Sequence, residues 1–583
     1  MIKQTLIEAV KKAVTGLYGR HDLSGLITER PKKPELGDIA IPLFTLAKTL
    51  RQAPPAIAAA VAEQLKKDNP NWQLNAVGGY INIFYNKAEV SAAILKEALA
   101  NLNNYGQNPA LAGQKIMIEF SGPNTNKPLH LGHLRNDCLG ETMARLFKKS
   151  GADVRKVNIV NDRGVHICKS MLAYQMFSNG ATPESTGMKS DHFVGDYYVK
   201  YANWEKDNHE EAEKLIKEML VKWEEGDPAT IKLWRLMNDW AINGMNETYI
   251  KTGISFDKVY YESETYKLGK DVVEAGLARG VFFKADDGSA RLDLTELDKK
   301  SDDGEEAPSK VFLRGDGTSV YITQDLGTAI RRHEDYPFDR LIYVVAHEQQ
   351  RHFQILFFAL KKMGYSWADM LYHLSYGMVN LADGSKMKSR EGTVVDADDL
   401  IESLRLMAQA EIDSKGRANE VEADTAFKVG LAALHYYLLQ VSPVKDMVFS
   451  KEDSLSFNGN TGPYLQYTAA RIASMLRKEK AAQLAKAEID STKLTLDDEW
   501  QLLRMVEDFP EQVGKAAVDY SPNILANFIY DVAKLFNKYY HDTQILNETD
   551  KSVAANRLYL AQAVHSVLKN GLELLNIPYL DKM

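Results

Sequence analysis

The sequence predicts an α/β protein: a Rossmann-like parallel-sheet catalytic domain with a helical insertion, a small N-terminal α+β domain and a C-terminal all-α bundle. Three observations predict it. Lys115-Ile-Met-Ile-Glu-Phe120, a Pro/Asn/Gly-rich loop, an apolar-faced helix and the run Val154 to Val160 spell a β-loop-α-β unit, the opening of a doubly wound sheet. Between Asp162 and about Lys310 the pattern turns mostly helical, interrupting that sheet. From about Asp398 onward strand signals vanish. With 583 residues the chain exceeds what one core can bury, so two to four domains are expected. The boundaries read as 1–110, 111–397 with the insertion at about 165–310, and 398–583.

In the first domain, Leu43, Leu46, Ala47 and Leu50 have helical spacing, and Pro54-Pro55 breaks the run. Val77-Gly-Gly-Tyr-Ile-Asn-Ile-Phe-Tyr85 reads as a turn and a strand, and Asn101 to Pro109 as a linker. The helix after the first sheet strand carries Leu131, Leu134, Leu139, Met143, Leu146 and Phe147 on one face, and Gly151 can stop it. Later strands are expected at Val320–Thr323, Leu341–Val345 and Leu374–Val379. In the insertion, the charge-rich stretch from Glu205 to Asp227 covers Leu215, Met219, Leu220 and Trp223, and Asp298 to Glu306 reads as a solvated loop. Two wide stripes, Ile524 to Tyr540 and Leu560 to Leu575, make the C-terminal bundle.

Composition narrows the function. Hydrophobic residues make up 45%, and no apolar run approaches the roughly 20 residues that cross a bilayer. The N-terminus reads as an amphipathic helix without a signal-peptide stretch, so a cytoplasmic protein is expected. Cys138 and Cys168 stand alone, without zinc spacing, so neither bound zinc nor another protein-held metal is expected. A net charge of −8 argues against a DNA coater but leaves RNA open through a local basic face.

Ser121-Gly-Pro-Asn-Thr-Asn-Lys-Pro-Leu-His-Leu-Gly-His133 lies between the first strand and its helix, where open α/β sheets bind ligands. His130 and His133 fall near a helix N-terminus, which already favours anions, and two imidazoles there can donate to a phosphate. Gly132 lets a flat ring lie against the backbone. By itself His-x-Gly-His is a short pattern; its place after a strand and loop gives it weight. The second segment, Asp383 to Thr393, concentrates Lys386, Lys388 and Arg390 on a glycine-flanked loop suited to a pyrophosphate leaving group, although alone it reads as a basic surface loop.

These segments resemble the HIGH and KMSKS signatures of class I aminoacyl-tRNA synthetases, and of that class the chain resembles the arginyl-tRNA synthetases. The likeness runs through nearly the whole length: Arg30 to Asp38, Ile118 to Asn136, Asp316 to Asp325, Thr461 to Arg471, Val567 to Leu575 and Met583. It implies activation of L-arginine with ATP and Mg2+ to an adenylate, then transfer to the 3′-terminal adenosine of tRNA(Arg), by a monomer. It places ATP at Pro123, Lys127, His130, Leu131, Gly132, His133, Lys386, Met387, Lys388, Ser389 and Arg390. The second signature departs from the class pattern, with Ser389 where the working lysine usually stands. Lys127 is the expected substitute, with Lys386 and Lys388 assisting; which matters most stays open.

A guanidinium is planar, permanently charged and carries five donors, so its pocket needs fixed carboxylates. The resemblance assigns Asp325 and Glu262, with Tyr321 alongside; Glu264 is the near alternative to Glu262, and Asp325 also reads as a helix cap. The α-amino and carboxylate ends fall to Ser121, Asn124 and Gln349, with Glu119 nearby and Gln350 as the neighbour of Gln349. Tyr464, Arg471 and Met583 match positions that grip anticodon bases, and Tyr80 and Asn82 positions at the tRNA elbow. Competing readings are another class I synthetase, a small adenylyltransferase, and a silent tRNA-binding paralogue.

Overall fold

The computed structural model describes residues 2–31, 33–298, 308–380, 395–414 and 422–583. The chain divides into two compact units: Met1–Asn101 with Lys480–Val506 and Thr543–Ala563, and Leu102–Glu479 with Glu507–Asp542 and Val564–Met583.

In the first unit, helices α1 (Ile2–Tyr18) and α2 (Pro54–Asp68) pack on an antiparallel sheet of β1 (Ile39–Pro42), β2 (Gln73–Val77) and β3 (Tyr80–Phe84), in order β1-β3-β2. Leu6, Val10, Ala13 and Val14 fall on one face of α1 and meet Ile57, Val61, Leu65, Ile81 and Ile83. Pro54-Pro55 ends one helical run and starts the next: Pro54 is the first residue of α2, where its missing N–H costs nothing.

The second unit is built on β4 (Lys115–Glu119), β5 (Asp153–Val160), β6 (Lys258–Tyr261), β10 (Arg340–Ala346) and β11 (Leu371–Tyr376), parallel throughout in order β11-β10-β4-β5-β6. Four of the five β4 residues are buried, as a central parallel strand requires. Helix α3 (Leu131–Lys149) crosses from β4 to β5; Gly140 lies so close to Phe120 that a Cβ there would sit 2.1 Å from its ring. The insertion begins with α4 (Val165–Phe177), α5 (Ser190–Asp207), α6 (His209–Glu224) and α7 (Pro228–Thr252). It is not helical to its end: β6 joins the main sheet beside β5, and β7 (Phe283–Lys284), β8 (Ala290–Asp293) and β9 (Ser309–Leu313) form a separate antiparallel sheet. These strands are two to five residues long, too short for alternation to announce them.

Three more expectations are corrected. Val320–Thr323 is no strand: Val320 caps helix α8 (Tyr321–Asp335) in extended conformation, and the buried set Ile322, Leu326 and Ala329 has helical spacing that overrides local β-propensity. The run expected at Leu374–Val379 divides at Gly377, where a Cβ would meet the Lys445 and Asp446 backbone at 2.3–2.4 Å; Val379–Asn380 pairs instead with Met447–Val448, a short bridge past Asp398 where none was expected. The stretch Asn101–Pro109 is no free linker, because Tyr105 is buried against Phe509, and Ser566 Oγ and Asn570 Nδ2 donate to the Leu102 carbonyl at 2.6 and 2.8 Å.

Beyond α9 (Gln350–Lys362) come α10 (Ala397–Ser414), α11 (Thr425–Leu439), α12 (Gly462–Leu476) and α13 (Pro522–Asp542), with apolar faces inward. The helices Asp497–Val518 and Lys551–Leu574 each contribute residues to both units. Of the expected acidic loop only Asp298 is described; the basic segment Asp383–Thr393 lies outside the described residues, and with it Lys386, Met387, Lys388, Ser389 and Arg390.

Candidate active site

A cleft of about 340 Å³ opens at the carboxyl ends of β4, β10 and β11. Its wall includes Glu119 to Gly122, His130, Gly132, His133, Asn136 and the end of β10. The two histidines cap α3 with each other's backbone: His130 Nδ1 accepts the Gly132 N–H and His133 Nδ1 accepts the His130 N–H, both at 3.1 Å. A ring that accepts at Nδ1 carries its proton on Nε2 when neutral, so each histidine keeps one N–H to give. Burial, with Lys127 nearby, lowers His130 to about 4 and His133 well below its ordinary value. Both are therefore neutral donors at pH 7, and the positive charge of this corner comes from Lys127. That lysine is half-buried and lowered by desolvation. Gly195 of α5 lets the insertion helix approach Pro128 and Lys127, where a Cβ would sit 2.8 Å from the Pro128 ring. Gly132 has a second reason to be glycine: a Cβ would press to 3.0 Å on the His130 ring.

Ser121 holds a left-handed backbone, φ +78°, stabilised by its N–H donating to Asn136 Oδ1 at 2.6 Å. Asn136 also donates to the Val344 carbonyl at 2.8 Å and to Tyr376 Oη at 3.1 Å, tying three strand ends together. Ser121 Oγ meets Tyr249 Oη of α7 at 2.6 Å, and Asn158 Oδ1 accepts the Gly122 N–H at 2.9 Å. Asn124 bridges to Asn161 and Pro123 is buried beside it. Leu131, fully buried, bonds through its N–H to the Val395 carbonyl at 3.0 Å, and His130 pairs with Asp396. The chain on either side of the basic segment thus borders the cleft, since Val379 lines it and Val395 touches its rim.

An acidic cluster adjoins. Glu119, raised by burial, pairs with the buried Arg332 of α8. Glu262, first residue after β6, is raised to about 7, by desolvation first and then by Asp162 and Asp325, against the lowering effect of Arg163. Glu264 is exposed, so the more enclosed carboxyl is Glu262. Asp325 is the fifth residue of α8 and caps nothing, which removes the helix-cap reading. Its side chain is 41% exposed, yet its charge raises Glu119, which shares the cleft wall with both histidines. Tyr321 opens α8 at 74% exposure. Gln349 and Gln350 are exposed, past the last cleft-lining residue of β10, Ala346.

Among the described residues, Asp191, His192 and Asp398 bring donor atoms within 4.8 Å of one another. The Lys189 ammonium already bonds both carboxylates, at 3.0 and 2.6 Å. No described helix is long and apolar enough to cross a membrane.

A second concavity of about 320 Å³ is lined by Arg471, Tyr467, Tyr540, Arg477, Lys582 and Met583, with others. Tyr464 and Arg471 meet through Asn537: Asn537 Nδ2 donates to Tyr464 Oη and Arg471 Nη1 donates to Asn537 Oδ1, both at 2.9 Å. Arg471 lies 4.7 Å from the Tyr467 ring and 5.5 Å from Tyr540. In the first unit, Tyr80 is half-buried against Phe44, while Asn82 is covered in mid-sheet at 4% exposure.

Residues 94–451 match the family described as tRNA synthetases class I (R), catalytic domain; 465–583 match the DALR anticodon binding domain; and 1–85 match the arginyl tRNA synthetase N terminal domain. The chain belongs to the arginyl-tRNA synthetases. The arginine–tRNA ligase of Treponema denticola is 52% identical over 95% of this chain and 94% of its own length. That of Borrelia hermsii is 43% identical over 100% and 99%. The solved arginyl-tRNA synthetase of Thermus thermophilus superposes with a TM-score of 0.80 at 25% identity, covering both chains fully. The expected fold class, a parallel Rossmann-like sheet with an N-terminal domain and a C-terminal helical domain, is the one found. Asn136, Tyr249, Arg332, His352, Tyr467 and Tyr540 escaped the sequence reading. Only Tyr467 had a local signal, its i,i+4 spacing to Arg471.

Proposed function

We propose that the cleft of this synthetase activates L-arginine with ATP and passes it to the 3′-terminal adenosine of tRNA(Arg), with the residues of the acidic cluster and the histidine cap in separate roles. The observation that carries the reading is the juxtaposition of neutral imidazole donors at the start of α3 with a cluster of carboxyls sharing the wall at Glu119. His130 and His133 donate Nε2–H to ATP phosphates, and adenine lies against Gly132, with Pro123 and Leu131 shaping the loop. Lys127 balances the charge that grows as pyrophosphate leaves, assisted by Lys386 and Lys388. Magnesium enters with ATP as the substrate complex. Asp325 and Glu262 receive the guanidinium beside Tyr321, while Glu119, Ser121, Asn124 and Gln349 hold the amino and carboxylate ends. Lysine is rejected because an ammonium leaves one acceptor of the pair unmet.

Arg471 and Met583, with Tyr464 behind Arg471, hold splayed anticodon bases against Tyr467 and Tyr540. Tyr80 offers a ring to the tRNA elbow; Asn82 acts by shaping the strand beneath it. The protein works as a cytoplasmic monomer, with domains at 1–110, 111–397 and 398–583. ATP–pyrophosphate exchange tests the reading: arginine supports it, lysine does not, and tRNA is required. Asp325→Asn raises the arginine KM at least about a hundredfold, the cost of an unpaired guanidinium fork, and leaves tRNA affinity within twofold. No exchange, with or without tRNA, returns the chain to the silent-paralogue reading, and equal losses in arginine use and tRNA affinity make Asp325 a residue of the fold.

A further inference from the structure

We infer that His352 is the positioning residue of the arginine subsite, fixing which oxygen of Asp325 meets the substrate; this deepens the reading of Asp325 given above and rests on it. Asp325 sits in the second turn of α8 on a half-exposed face, with no capping role to hold it. A carboxylate there can rotate about its side chain, and the neighbouring acid Glu262 gives it reason to turn away. His352, in the first turn of α9, closes that freedom: its Nε2 lies 2.6 Å from Asp325 Oδ2.

The imidazole packs edge-on against a fixed ring, that of Phe353, at 5.7 Å between centroids. The next residue, Phe353, packs on Tyr343 of β10 at 4.9 Å between centroids and stacks on His373 of β11 at 4.5 Å, and His373 Nε2 donates to the Val345 carbonyl at 2.9 Å. The donor therefore rests on the sheet and not on a loop. With Oδ2 committed to His352, Asp325 presents Oδ1 to one edge of a guanidinium. The second acceptor that a two-pronged donor needs comes from Glu262, whose carboxyl feels the charge of Asp325. Two carboxylates each giving one oriented oxygen fit a planar fork. One freely turning carboxylate would serve an ammonium equally well.

The test uses the full-length protein with saturating tRNA, reading exchange kinetics separately for arginine and ATP. His352→Phe keeps the ring and removes the donor, and it raises the arginine KM about tenfold, the size expected for one charge-assisted hydrogen bond. The maximal rate and the ATP KM stay within twofold. His352→Gln, whose amide can donate to the same oxygen, recovers most of the loss. An arginine KM unchanged in His352→Phe, with Asp325→Asn still severe, overturns the role of His352 alone. Equal shifts in arginine KM, ATP KM and melting temperature in both His352 variants show packing and overturn it too. An Asp325→Asn enzyme with unaltered arginine KM removes the subsite itself.

Discussion

In the proposed arginine subsite, Glu262 is the residue expected to set the pH response. Its carboxyl is raised to about 7 because it is desolvated and lies near Asp162 and Asp325, with Arg163 only partly offsetting them. A guanidinium binds the ionised form, so arginine affinity is present above that value and is lost as pH falls through it. The arginine KM in exchange should rise up to about tenfold per unit below pH 7 and level off above it. Glu262→Gln, which cannot ionise, should give a high KM that stays flat between pH 5.5 and 8.5. A Gln variant that keeps the wild-type slope assigns the titration elsewhere in the cluster. The placement of His130 and His133 at the start of α3 could be read from the sequence because a strand, a Pro/Gly loop and a helix onset leave a recognisable local pattern. Asn136 and Arg332 could not: their partners Val344 and Glu119 stand 208 and 213 residues away, and a single sequence has no signal for such pairs.

At the level of elements, long periodic segments were legible and short ones were not. Helix α3 and the stripe of α13 emerge from 3.6-residue spacing, whereas β6 is four residues long and supplies the sheet edge that places Glu262. The start of α8 was misread because Val320-Tyr-Ile-Thr323 has strand-forming residues, though the buried spacing that follows is helical. That correction moves Asp325 from a cap to a helix face, where a side chain is available to a ligand. The pair α12 and α13 carries the anticodon proposal through Asn537, which joins Tyr464 to Arg471. Arg471→Ala removes a cation lying near two tyrosine rings and should raise the tRNA KM tenfold or more, in line with roughly 1–3 kcal/mol for a stacked base contact. Arginine KM at saturating tRNA should not move. Losses in arginine KM of the same size would make Arg471 a structural residue of the helical bundle.

For the molecule as a whole, the decisive fact is that the second unit is closed by chain that returns from far away. Residues Val564–Met583 complete it by burying Val564, Val567, Leu568, Leu572 and Leu575, and polar contacts add to that packing: His435 to the Asn576 carbonyl at 2.6 Å, Gln466 Nε2 to the Pro578 carbonyl at 2.7 Å, Asn576 Nδ2 to the Thr252 carbonyl at 2.9 Å, and Arg145 Nη1 to the Glu573 carbonyl at 2.7 Å. His435 is the titratable one. It is buried, donates through Nδ1, and its Nε2 has no partner, so burial lowers it to about 4. A lowered histidine stabilises the fold above its unfolded value near 6.5, and that contribution is lost as pH falls from there toward 4. Buried His130 and His565, each also at about 4, act in the same direction, while Asp137, raised to about 8, acts in the opposite one. The wild-type melting curve alone therefore sums opposing slopes, and a variant comparison is needed. His435→Asn keeps a donor for the Asn576 carbonyl and removes the titration. Its stability deficit at pH 7.5 should shrink by up to about 1.4 kcal/mol per pH unit between 6.5 and 4.5, the slope of one proton taken up on unfolding. A deficit that stays constant over that range means the closing contact is not pH-dependent, and acid sensitivity of this unit then resides in other buried histidines such as His130 and His565.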